Sequence, residues 1–111
     1  MMLLTEAIRR QLPELYGQAG SSDPVLYAKF FTPGSGLTWF IAEGEPEGNY
    51  HGADFIFYGY VIGVPTWCRF KLSELQPLGA SPLTVERDLE FETTRFSRLP
   101  LRYRPMMTAA R

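Results

Sequence analysis

The chain has 111 residues, 45% of them hydrophobic, and a formal charge of −1. That is the size and apolar fraction of one folded domain, whose overall field draws it to neither nucleic acid nor an anionic membrane. Its 8 Phe, 6 Tyr and 2 Trp exclude a disordered chain, and its 1 Cys, Cys68, excludes an internal disulfide and a multi-thiolate zinc site, so a reducing, cytoplasmic setting is expected.

In MMLLTEAIRR the charges follow a short apolar stretch, the reverse of a secretory leader, and none is expected. Leu4, Ile8, Leu12 and Leu15 repeat at helical spacing, Thr5 is placed to cap the first turn and Pro13 to end the helix. Gln18 to Pro24 is turn chemistry. Val25 to Thr32 and Leu37 to Glu43, rich in β-branched and aromatic residues around Pro33-Gly34-Ser35-Gly36, predict a hairpin whose second strand is apolar on both faces. Gly44 to Asp54 reads as an exposed acidic loop, and Phe55 to Ile62 as the central strand. The longest apolar run, Phe55 to Val64, is far short of the roughly 20 residues of a membrane helix.

After a turn at Gly63 to Thr66, Trp67 to Leu72 pairs back, completing an antiparallel meander, and Ser73-Glu74-Leu75 caps one helical turn. Val85 to Glu92 alternates strictly, so a strand there would set Glu86, Asp88, Glu90 and Glu92 in one row. From Arg95 onward Arg95, Arg98, Arg102, Arg104 and Arg111 occur without an acidic residue, between Pro100 and Pro105, which predicts an extended, loosely held basic segment.

Several short motifs recur in a known order: Leu3-Leu4-Thr5, Leu12-Pro13 with Leu15-Tyr16, Lys29-Phe30-Phe31-Thr32-Pro33, Trp39-Phe40 with Glu43, Gly59-Tyr60-Val61, Leu72-Ser73-Glu74-Leu75 and Glu86-Arg87-Asp88. Over residues 3 to 91 the chain resembles the bacterial family catalogued as domain of unknown function 2958. Val64 to Arg69 departs from that pattern, and the Arg-rich end lies outside it. The resemblance implies no activity, only a setting on plasmids, prophages and integrative elements, whose genes often counter host defences or manage DNA transfer.

Candidate chemistry is sparse. His51 and Asp54 near Glu43, Glu45 and Glu47 offer ligands in no metal spacing, and a solvated loop explains them better. His51 lacks an orienting partner for acid-base work. Cys68 between aromatic residues suits a small core residue better than a nucleophile. The carboxylate row, at about 7 Å intervals, is too widely spaced for one ion. It is either a strand's solvent face or an acidic stripe imitating phosphates for a partner's basic groove. The basic segment, with Phe96 and Tyr103 to stack on bases, could instead track single-stranded nucleic acid.

The expected fold is α+β, an antiparallel sheet of four to five strands packed against a short N-terminal helix, with residues 1–94 as the domain and 95–111 as the basic segment. The expected core is Leu12, Leu15, Phe30, Trp39, Ile41, Phe57, Val61, Phe70, Leu72 and Leu89. The expected function is a small non-enzymatic binding protein of a mobile element, an anti-CRISPR or anti-restriction inhibitor docking on a host protein or ribonucleoprotein complex, without cofactor, metal or membrane. Glu86, Asp88, Glu90, Glu92, Glu45 and Glu47 would form its partner surface. The alternative is a single-stranded nucleic-acid accessory protein using Arg95, Arg98, Arg102, Tyr103 and Arg104.

Overall fold

A computed structural model describes residues 2–48, 54–63, 66–76 and 84–103. Helix α1 (Glu6–Gln11) starts where the Thr5 hydroxyl accepts the Ile8 N–H at 3.2 Å, and stops at Leu12, which Pro13 forces to be extended. The strands are β1 (Val25–Leu26), β2 (Ala28–Phe31), β3 (Thr38–Glu47), β4 (Asp54–Ile62), β5 (Thr66–Lys71), β6 (Glu86–Arg87) and β7 (Thr94–Arg95), with one helical turn, α2 (Leu72–Leu75), after β5. Five strands form an antiparallel sheet in the order β5-β4-β3-β2-β6, and β1 pairs with β7 in a separate ladder. The α+β class, the hairpin and the meander are as the sequence predicts. The middle strand, however, is β3 rather than β4.

Both faces of the sheet are covered. Leu3, Leu4 and Ile8 from the N-terminal segment pack with Phe30, Ile41, Phe57 and Phe70 on the first face. On the second, Leu26, Phe40, Ala42 and Tyr60 are sealed by Phe96 and Leu99. The segment after Arg95, expected to be loose, is therefore docked as far as Tyr103. Phe96 rests edge-on against Tyr60 and Trp67, and the Asp23 carboxylate accepts from the Ser97 N–H and hydroxyl at 2.8 and 2.6 Å. Residues 104–111, Arg104 and Arg111 among them, lie outside the described residues. Of the expected core, Leu89 is a correction: it is 70% exposed.

The expected acidic loop is largely strand, because β3 runs on through Glu47, and Asn49 to Ala53 lie outside the described residues. A β-bulge at Ala42 interrupts the β3–β4 register between Ile41 and Glu43. One extra residue reverses every later side chain, so Glu43, Glu45 and Glu47 fall on the second face, paired with Tyr58, Ile56 and Asp54. Gly59 sits opposite Ile41, where a Cβ would come within 2.0 Å of the Phe40 carbonyl oxygen, so only glycine fits.

Since β2 begins only at Ala28, the edge of β3 beyond Ile41 has no strand partner on that side. Residues 13–18 fill it. The Gly44 N–H donates to the Pro13 carbonyl at 3.0 Å, and Glu43, wholly buried, accepts the Tyr16 and Gln18 N–H groups, each at 2.8 Å. Glu45 accepts the Leu15 N–H at 2.9 Å. The Gln18 amide in turn donates to the carbonyls of Val25 and Ala42 and accepts the Val25 N–H. This strap carries the chain from the helix face to the second face.

Phe96→Ala tests whether the C-terminal segment belongs to the fold. Urea denaturation should show a loss on the order of 3 to 5 kcal/mol, the cost of deleting a buried aromatic ring. A loss below about 1 kcal/mol would detach the segment from the core.

Candidate functional site

The row of carboxylates does not form. β6 ends at Arg87 because the Asp88 side chain turns the backbone, accepting the Glu90 N–H at 2.9 Å, while its other oxygen pairs with Lys29 at 3.3 Å. Such local side-chain bonds compete with the ladder. Glu86 is half-buried on the sheet, Glu90 and Glu92 are exposed, and Leu89 swings outward instead of into the core.

The turn instead meets the basic segment. A cleft of about 400 Å³ lies between them, with Asp88, Glu90 and Glu92 on one wall, Arg102 and Tyr103 on the other, and Lys29 between. Phe40, Phe91 and Leu99 supply apolar lining. A second cleft of about 370 Å³, lined by Tyr27, Arg87 and Leu89 and by α1, shares Asp88 and Phe91 with the first. The two charge groups that the sequence sets against each other as rival binding surfaces thus face one another across a single groove.

Lys29 joins the walls. Its ammonium lies 3.3 Å from Asp88 and 3.3 Å from the Tyr103 hydroxyl, and it stands 5.1 Å from the Tyr103 ring centroid. Arg102 also donates to that hydroxyl, at 3.3 Å, and lies over the ring at 4.7 Å. The Arg102 hydrogen bond, followed by that of Lys29, holds the Tyr103 phenol below the usual tyrosine value against the opposing push of burial.

Several of the remaining candidate residues have structural partners. Glu45 holds the strap, and Glu47 pairs with Lys71 at 2.7 Å. Arg95 donates to the Asp23 carbonyl at 2.8 Å and stays exposed, whereas Phe96 is buried and is not presented to a nucleic-acid strand. Arg98 and Arg102 are exposed. Asp54 accepts the N–H and hydroxyl of Ser73, which hold its carboxyl below the usual value. His51 lies outside the described residues. Among those described, no three of His, Cys, Asp and Glu gather as an ion site, and no helix is long and apolar enough to cross a membrane.

Two residues of the site escaped the sequence reading. Leu89 and Leu101 are 70% and 73% exposed, each next in sequence to residues lining the main cleft. Alternation assigned Leu89 to a core, and only the Asx turn at Asp88 reveals otherwise.

The family model described as a protein of unknown function (DUF2958) matches residues 3–99. No curated protein and no solved structure matches the chain.

Cys68 is half-buried beside the first core, and burial, with the Glu74 charge behind it, pushes its thiol above the ordinary value. Iodoacetamide at pH 7.5 should therefore label Cys68 more slowly than it labels free cysteine. Labelling faster than the free amino acid would restore Cys68 as a nucleophile.

Proposed function

The chain belongs to the family of proteins of unknown function DUF2958, and from that premise we propose that it is a non-enzymatic binding protein acting in the cytoplasm. On this reading it is an anti-defence inhibitor of the anti-CRISPR or anti-restriction kind, carried by a mobile element and docking on a host protein or ribonucleoprotein complex. The observation that carries the binding reading is the pair of outward-facing leucines, Leu89 and Leu101, beside a groove rimmed by charges of both signs. Protein interfaces have this composition, a few apolar anchors within a polar rim.

The anti-defence part of the reading rests on the genomic setting that the resemblance implies. The partner surface is revised from a uniform acidic stripe to a mixed groove. Glu90 and Glu92 stay in it, Asp88 serves to hold the groove together, and Arg102 joins from the opposite wall. Phosphate mimicry by a regular row is set aside because the row is broken at Asp88. The nucleic-acid alternative keeps Arg95, Arg98, Arg102 and Tyr103 among the described residues, without the buried Phe96 to stack on a base.

Leu89→Asp combined with Leu101→Asp should lower the unfolding free energy by no more than about 1 kcal/mol, since both side chains are exposed. It should weaken partner binding by about 10-fold or more, the effect of removing two anchors each worth above ~1 kcal/mol. The measurement is plasmid transformation into bacteria with an active CRISPR or restriction system, alongside co-purification of the targeted complex. Wild-type protein should restore transformation and the double variant should not. Equal rescue by both would remove these leucines from the interface. No rescue by the wild type, with single-stranded DNA retained at low salt, would favour the alternative.

A further inference from the structure

The Tyr103 cluster has chemistry that docking does not use. A phenol usually reacts poorly because its oxygen is protonated at neutral pH. Here that oxygen lies 3.3 Å from Lys29 Nζ and 3.3 Å from an Arg102 nitrogen, while the half-buried ring borders a cleft with room for an incoming group. Both contacts favour the phenolate, consistent with the lowered pKa described above.

We propose that Tyr103 is a phosphoryl-acceptor site, a tyrosine placed to be phosphorylated and to have the resulting phosphate held by Lys29 and Arg102. The donor is a nucleoside triphosphate used by a separate kinase. The phenol oxygen attacks the terminal phosphorus, the bond from that phosphorus to its bridging oxygen breaks, and the nucleoside diphosphate departs with the electron pair. The phenol proton passes to solvent. A phosphoryl product fits better than an uncharged acyl group, because a phosphate monoester carries close to two negative charges and offers three acceptor oxygens to the same two cations.

The carboxylates opposite give the modification a consequence. Lys29 is shared between Asp88 and Tyr103. A phosphate at Tyr103 competes with Asp88 for that ammonium and repels Glu90 and Glu92 across the cleft, loosening the turn that presents Leu89.

The acceptor's reactivity is testable on the purified full chain without any partner. Diisopropyl fluorophosphate transfers a phosphoryl group to reactive hydroxyls, the phenolate displacing fluoride from phosphorus. At pH 8, peptide mass spectrometry should find Tyr103 labelled several-fold faster than Tyr16, although Tyr16 is the more exposed ring. Lys29→Met and Arg102→Gln should each slow the labelling of Tyr103 and leave that of Tyr16 unchanged. Because Arg102 is exposed, its variant remains informative even if replacing Lys29 disturbs the fold. Labelling of Tyr103 no faster than that of Tyr16, or fast labelling indifferent to Arg102→Gln in the folded protein, would overturn the proposal.

Discussion

A buried carboxylate beside a β-bulge is the constraint on which the rest of this structure depends. The extra residue at Ala42 leaves a carbonyl without a regular ladder partner and turns Glu43 onto the second face. Both disturbances would be costly alone. A buried anion needs hydrogen-bond donors, and an unpaired backbone group in the interior costs about 1 to 3 kcal/mol. The strap at residues 13–18 answers both, with the Tyr16 and Gln18 amides bonding Glu43 and the Gln18 side chain capping the Ala42 carbonyl. Tyr16 adopts a left-handed backbone, φ 68°, which aims its N–H inward and costs conformational energy that these bonds offset.

The strap is also the route by which the chain changes sides. Helix α1 covers one face of the sheet, and β1, with the C-terminal segment paired to it, covers the other. Without an anchored crossing at the edge of β3, β1 would not be placed to receive β7, and Phe96 and Leu99 would have no fixed seat. The groove between the 88–92 turn and the C-terminal 3-10 turns therefore depends on the bulge, even though no residue of the strap lines it. Lys29 closes the arrangement from β2, holding one wall through Asp88 and the other through Tyr103.

Much of the fold was legible in the sequence. Thr5 and the spacing of Leu4, Ile8 and Leu12 mark α1, and the Pro33 to Gly36 turn between aromatic runs marks the β2–β3 hairpin. The strand continuation through Glu45-Pro46-Glu47 was not, because a proline between carboxylates has the composition of a loop. It is tolerated because the Gly44 N–H points to the outer edge of β3, and two residues on, the N–H that Pro46 lacks would point the same way. The bulge left no mark either, since Ile41-Ala42-Glu43 reads as ordinary alternation.

The site was legible in its parts and not in its assembly. Alternation from Val85 to Glu92 suggested a strand, yet Asp88 has a short acceptor side chain that can close a turn on its own backbone, and it does. Arginine and proline density suggested a loose tail, while the two apolar residues that dock it, Phe96 and Leu99, are sparse enough to escape a periodicity argument.

The central claim, that Glu43 fastens residues 13–18 to the edge of β3, is tested most directly by amide hydrogen exchange at Tyr16 and Gln18. In the native protein these two amides should be protected to the level of the Gly44 amide on β3, although the segment around them is largely exposed. Glu43→Gln should lower protection at both while leaving the Phe57 and Phe70 amides slow. Exchange of Tyr16 and Gln18 at the rate of an unstructured loop in the native protein would contradict the account.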